Sequence, residues 1–176
     1  MKQIAFICVF SERQEIRQFH ALSHKAVYLA LQKTALLCHS DLHYQLYSCR
    51  PPDDIRAWSG SADFCIFYFL CSTQEIADFF SANFRNMKQA LYLLNSSYYD
   101  TKGKVLHFQN IYRLPARCAC AIPSNLAFQA AISNHKENQF FYLYNQKKLS
   151  NQNSEFLEQM RNIHLLTAAY MNGEHL

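Results

Sequence analysis

Glycine is nearly absent from this chain, with three residues in 176. Loops that wrap a phosphate closely use glycines for positive φ angles and for close backbone approach. Neither G-x-G-x-x-G nor G-x-x-x-x-G-K-[ST] occurs, which argues against the usual dinucleotide and P-loop sites. Paired cysteines are lacking as well. Cys8, Cys38, Cys49, Cys65, Cys71, Cys118 and Cys120 are odd in number, contain no C-x-x-C pair and sit mostly in apolar runs, where a thiol behaves as a small hydrophobe. That usage points to a reducing compartment, so the chain reads as cytoplasmic. No apolar run approaches the ~20 residues of a membrane-spanning helix, and no membrane partner is expected. The opening MKQIAFICVF passes straight into the charged SERQEIR without a small-residue cleavage site, so it reads as a first strand rather than a signal peptide. The net charge of +4 is mild; it is compatible with an anionic partner without requiring one.

What the chain does have is aromatic residues, 15% of the total, and apolar runs that feed capped helices. Residues 63–95 show the pattern best. Phe64 to Cys71 are apolar without a break, as in a strand covered on both faces. Ser72 and Glu75 then form an S-x-x-E capping box, and Ile76, Phe79, Phe80, Phe84, Met87, Leu91 and Leu94 follow at helical spacing. The expected helix ends near Asn95. The start of the chain echoes this: IAFICVF-S-ERQEIRQF against CIFYFLC-S-TQEIADFF. Two strand-to-helix units of shared local architecture would give that likeness.

Taken in order, the chain predicts a strand over 2–10 and a helix from Ser11 to about Cys38. A half-wet strand over 42–49 and a loop over 50–62 come next. After the central strand and helix come strands at 104–109 and 118–122, a helix opened by Pro123-Ser124, a strand at 139–145 and a helix over 154–171. This β-α-β-β-α-β-β-α-β-α order predicts a single α/β domain over 1–176. The expected fold is three-layered, Rossmann-like and doubly wound on a mostly parallel sheet. The alternative is a ferredoxin-like α+β core with extra C-terminal α/β elements.

A parallel sheet would bring three helix starts, Ser11, Ser72-Thr73 and Ser124-Asn125, to the carboxyl edge of the strands, where open α/β sheets bind ligands. Free amides and a partial positive charge gather there. Arg13, Arg17, His20 and His24 share one stripe of the first helix, and two arginines at a helix start oppose the macrodipole. That cost hints at an anionic partner, although Glu12 and Glu15 offset it. His20 and His24 have the spacing of a helical metal pair, but Ala21 stands where a metalloprotease glutamate would be, so no metal is expected. Trp58, in the 50–62 loop, suits a protein interface. Asp53, Asp54 and Asp63 are weak candidates for acid–base chemistry, and Pro-Pro-Asp-Asp reads equally well as a turn with a capping aspartate.

These residues predict binding rather than catalysis. The expected protein recognises a protein or anionic partner at the strand carboxyl edge through Ser11, Arg13, Arg17, His20, His24, Trp58, Ser72, Thr73 and Ser124. One alternative is a small hydrolase or transferase acting on a nucleotide- or phosphate-containing substrate; another is a nucleic-acid-binding protein, its aromatic loops stacking on single strands. No cofactor is expected, and the residues carry no family resemblance.

Overall fold

The structure, a computed structural model, describes residues 2–10, 17–49, 61–70, 72–83, 90–95, 102–115 and 117–173. Five strands form one sheet: β1 (Lys2–Phe10), β2 (Leu42–Cys49), β3 (Phe64–Leu70), β4 (Ala90–Asn95) and β5 (Ala119–Ile122). Their order is β2-β1-β3-β4-β5, and every neighbouring pair is parallel. The described helices are α1 (Arg17–Leu37), α2 (Thr73–Asn83), α3 (Lys102–Ile111), α4 (Leu126–Ser133), α5 (Glu137–Asn145) and α6 (Asn151–Met171).

Side chains alternate across a strand, so the two faces of the sheet build two cores. Ile4, Phe6 and Cys8 of β1, with Ile66 and Tyr68 of β3, pack against α1, α4, α5 and α6. Ala5, Ile7 and Val9, with Phe67 and Phe69, pack against α2 and α3. Every residue of β3 is buried, as its unbroken apolar run requires. The second core is largely aromatic. Phe79 meets Phe67 and Phe69 edge-on at 5.2 and 5.3 Å between ring centroids, and Phe80 stacks on Tyr112 at 4.0 Å. This is a three-layer, doubly wound α/β fold with the 2-1-3-4-5 order of flavodoxin-like sheets. The ferredoxin-like alternative fails, because it needs antiparallel neighbours and this sheet has none among the described residues.

Three elements differ from their sequence reading. The central helix is described over Thr73–Asn83, Phe84 and Met87 of its expected stripe lie outside the described residues, and 90–95 is strand β4. Ala and Leu favour a helix there, but Leu91, Tyr92, Leu93, Leu94 and Asn95 are all buried; consecutive burial suits a strand covered on both sides. The expected strand at 104–109 is helix α3, with Val105, Phe108 and Tyr112 meeting the second core at helical spacing. The expected strand at 139–145 is helix α5, where packing of Phe140 and Phe141 on Phe128 overrides the strand preference of aromatics.

Candidate functional site

The strand order reverses beside β1. The chain steps from β1 to β2 through α1 on one face, then from β3 through β4 to β5 with α2 and α3 on the other. In open α/β sheets such a reversal is where ligand crevices form, outside the carboxyl ends of the two strands, here β1 and β3. Because all strands are parallel, the chain leaving β1, β3, β4 and β5 enters its next helix from this same rim.

Residue by residue, the described part of the rim is built of polar groups bonded to one another. Ser72 and Glu75 form the capping box in both directions: the Ser72 N–H and hydroxyl each donate to Glu75 Oε2 at 2.8 Å, and the Glu75 N–H donates to Ser72 Oγ at 3.4 Å. An internal carboxylate therefore occupies the α2 start and competes with any external anion for its amides. Thr73 is exposed beside it. Ser124 does not cap its helix. Asn125 does, its Oδ1 accepting the Phe128 N–H at 2.7 Å, while its Nδ2 donates to Asn153 Oδ1 at 3.0 Å. Ser124 Oγ instead accepts from Asn95 Nδ2 at 3.3 Å, and the same amide donates to the Tyr68 hydroxyl at 2.8 Å.

That Tyr68–Asn95–Ser124 chain joins β3, β4 and the β5–α4 turn. Asn95 is fully buried, and burial pushes the Tyr68 phenol far above its ordinary value, so it stays a neutral hydrogen-bonding group. Deeper on the same side, Gln129 Nε2 donates to Ser23 Oγ at 3.1 Å and ties α4 to α1. Leu22, next to Ser23, and Leu126, at the start of α4, are exposed.

The remaining candidates scatter. His24 is half-buried on α1. The backbones of Arg17 and His20 lie at the start of α1, but their side chains fall outside the described residues, as do Ser11, Arg13, Asp53, Asp54, Trp58 and Cys71. Asp63 lies at the amino end of β3, on the edge opposite the crevice. Its carboxylate accepts the Gln3 N–H at 2.7 Å, and its own N–H donates to Gln3 O at 2.9 Å, so it staples β3 to β1. Cys118 donates to Pro115 O, and burial pushes its thiol up to about 11; Cys120 is pushed to about 12 by burial. Both thiols stay protonated at neutral pH and are poor nucleophiles. Among the described residues no three His, Cys, Asp or Glu side chains could hold a metal ion, and no helix is long and apolar enough to cross a membrane. Two described clefts lie elsewhere. One of about 170 Å³ is lined by Leu37, Cys38, Phe141, Leu157 and Arg161; a shallower one of about 310 Å³ runs between α4 and α5.

Sequence reasoning took Asn95 for a helix stop, passed over Tyr68, and placed the Ser124-Asn125 helix start without telling which of the two caps it. One signal was present: a polar residue that closes an apolar strand lands at the carboxyl edge, where the crevice forms.

The fold is that of a doubly wound α/β protein, with polar groups at the described carboxyl ends of its strands. Compared with protein-family models, with curated proteins and with solved structures, the chain matches none of them.

Proposed function

We propose that this chain is a binding protein whose partner, a protein or an anion-bearing molecule, docks on the carboxyl edge of the sheet at the β1/β3 switch point. The observation that carries the proposal is the strand order β2-β1-β3-β4-β5 with all pairs parallel, because that reversal is what opens a crevice. The polar groups on this rim support binding over catalysis. Ser72, Asn95, Ser124 and Asn125 are engaged in bonds that hold the rim in shape. Exposed Leu22 and Leu126 favour a protein partner over a bare anion, as does the Glu75 carboxylate already seated on the α2 start.

The test is native purification of the full chain, mass spectrometry of what remains bound, and amide chemical-shift mapping on titration with that molecule. Perturbations gathered at Leu22, Ser72, Thr73, Ser124 and Leu126 are expected. Perturbations confined to the opposite edge, around Asp63 and Ser40, would discard the proposal, as would a chain recovered alone and empty.

A further inference from the structure

Among the described residues the β2 strand is an edge of the sheet, and its pairing with β1 runs without a bulge from Lys2↔Leu42 to Val9↔Cys49. The Lys2 N–H donates to Asp41 O at 3.1 Å, which fixes the polarity of the ladder. In a parallel pair of this register the odd-numbered β2 residues turn their backbone groups to β1, and Leu42, Tyr44, Leu46 and Ser48 turn theirs outward. Two outward groups are already covered: Ser40 Oγ accepts the Leu42 N–H at 3.2 Å, and Tyr44 O accepts the Tyr28 hydroxyl at 3.2 Å. Among the described residues, nothing bonds the Tyr44 N–H or the outward backbone groups of Leu46 and Ser48.

Open edges are ordinarily protected by lysine, proline, bulges or inward-pointing charges. The strand LHYQLYSC carries no Lys, Arg, Asp, Glu or Pro. We propose that β2 pairs antiparallel with β2 of a second copy of this chain, about a two-fold axis at Leu46, joining two five-stranded sheets into one. The uncovered groups complement themselves under that operation. Leu46 gives and takes a bond with the Leu46 of the copy, and the Tyr44 N–H meets Ser48 O of the copy. The Ser48 N–H reaches Tyr44 O of the copy, a carbonyl whose second lone pair the Tyr28 bond leaves open. On the exposed face the same register sets Gln45 opposite Tyr47, a pair already compatible within one chain, where the Tyr47 hydroxyl donates to Gln45 Oε1 at 2.6 Å. No like charges face each other across the seam. The same patch serves both partners, as a two-fold contact requires.

Sedimentation velocity of the full chain over a dilution series, with amide exchange read at Leu46 and Ser48 at both ends of the series, tests this. The expected result is a monomer–dimer equilibrium in which those two amides slow as the dimer fills. Ser48→Pro removes an outward donor at a position where an edge strand tolerates proline, and Ser48→Lys brings an ammonium group from each copy to the seam. Each is expected to raise the dissociation constant at least about tenfold, with the native circular dichroism unchanged because Ser48 is exposed. A chain that stays monomeric at every concentration, with fast exchange at both amides, overturns the proposal. So does a dimer that neither substitution weakens, or protection of these amides that appears only when a separate extended peptide is added.

Discussion

Tyr44 and His164 sit 1% and 2% exposed, on β2 and α6, and the Tyr44 hydroxyl shares a hydrogen bond of 2.9 Å with His164 Nδ1. The pair gives the docking of α6 a pH dependence. Burial holds the imidazole below its ordinary value and pushes the phenol well above its own, so both groups are neutral in the folded chain at pH 7. The unfolded chain, with an imidazole near ~6.5, takes up the proton first as pH falls. Stability is therefore full above that value and declines as pH drops through it toward the lower folded value. The chain has eight histidines, so the test is a difference: thermal melts of wild type and His164→Gln between neutral and mildly acidic pH. The glutamine variant is expected to be about 1–3 kcal/mol less stable at neutral pH, through its poorer fit to the Tyr44 hydroxyl, and to lose less on acidification. Equal acid slopes for the two proteins would show that His164 contributes nothing to the decline.

Helix ends show how a chain short of glycine stops its helices. α1, α3, α4 and α5 each end with a residue at positive φ: His39 (49°), Arg113 (51°), His135 (55°) and Lys147 (56°). Each is followed by the 6→1 bond of a Schellman motif, as in Ser40 N–H to Ala35 O and Lys136 N–H to Ala131 O. Glycine usually fills that left-handed position, because a Cβ there costs about 1–2 kcal/mol. Only Gly173, after α6, follows the rule among the described residues. The expected consequence is that His135→Gly, at an exposed site, stabilises the fold by about 1 kcal/mol, read as a rise in melting temperature of about 2–4 °C for a chain of this size. A fall would mean that the His135 side chain has an unseen role. The scarcity of glycine also explains part of what was hard to read. Helix stops carried no glycine flag, so α2 was extended through what is strand β4, while α3 and α5, short and aromatic, read as strands. β1 and β3 were legible because their apolar runs are seven and eight residues long and are followed by a serine and a Gln-Glu-Ile segment, whereas the shorter runs at 90–94 and 140–144 suit a buried strand or a buried helix equally. The Ser72–Glu75 box was legible because its partners are three residues apart. Asn95 was not, since its partner Tyr68 lies 27 residues away in sequence, a pairing that exists only once β3 and β4 lie side by side.

At the scale of the molecule, the two proposed surfaces draw on different groups. The proposed crevice draws on the ends of β1 and β3, whereas the proposed seam draws on the outward side of β2, beyond β1 in the sheet. The described rim is held by bonds within and between α1, α4 and the strand ends, such as Gln129 to Ser23 and Asn95 to Tyr68. β2 is tied to the helical layer through Tyr44, which bonds to His164 on α6 and to Tyr28 on α1. Sites without shared partners are energetically independent to within a few tenths of a kcal/mol. Self-association and partner binding are therefore expected to separate cleanly. Leu126→Glu places a charge among the exposed apolar residues of the rim, and it is expected to weaken a protein partner at least about tenfold while leaving the sedimentation equilibrium of the free chain as it was. Ser48→Lys is expected to do the reverse, shifting the chain to monomer and changing partner affinity by no more than about twofold. Calorimetric titration of each variant beside its sedimentation profile decides the matter. If one substitution moved both readouts, partner and second copy would be competing for a single surface, and the crevice and the β2 edge could not be the two separate sites that this sheet order sets apart.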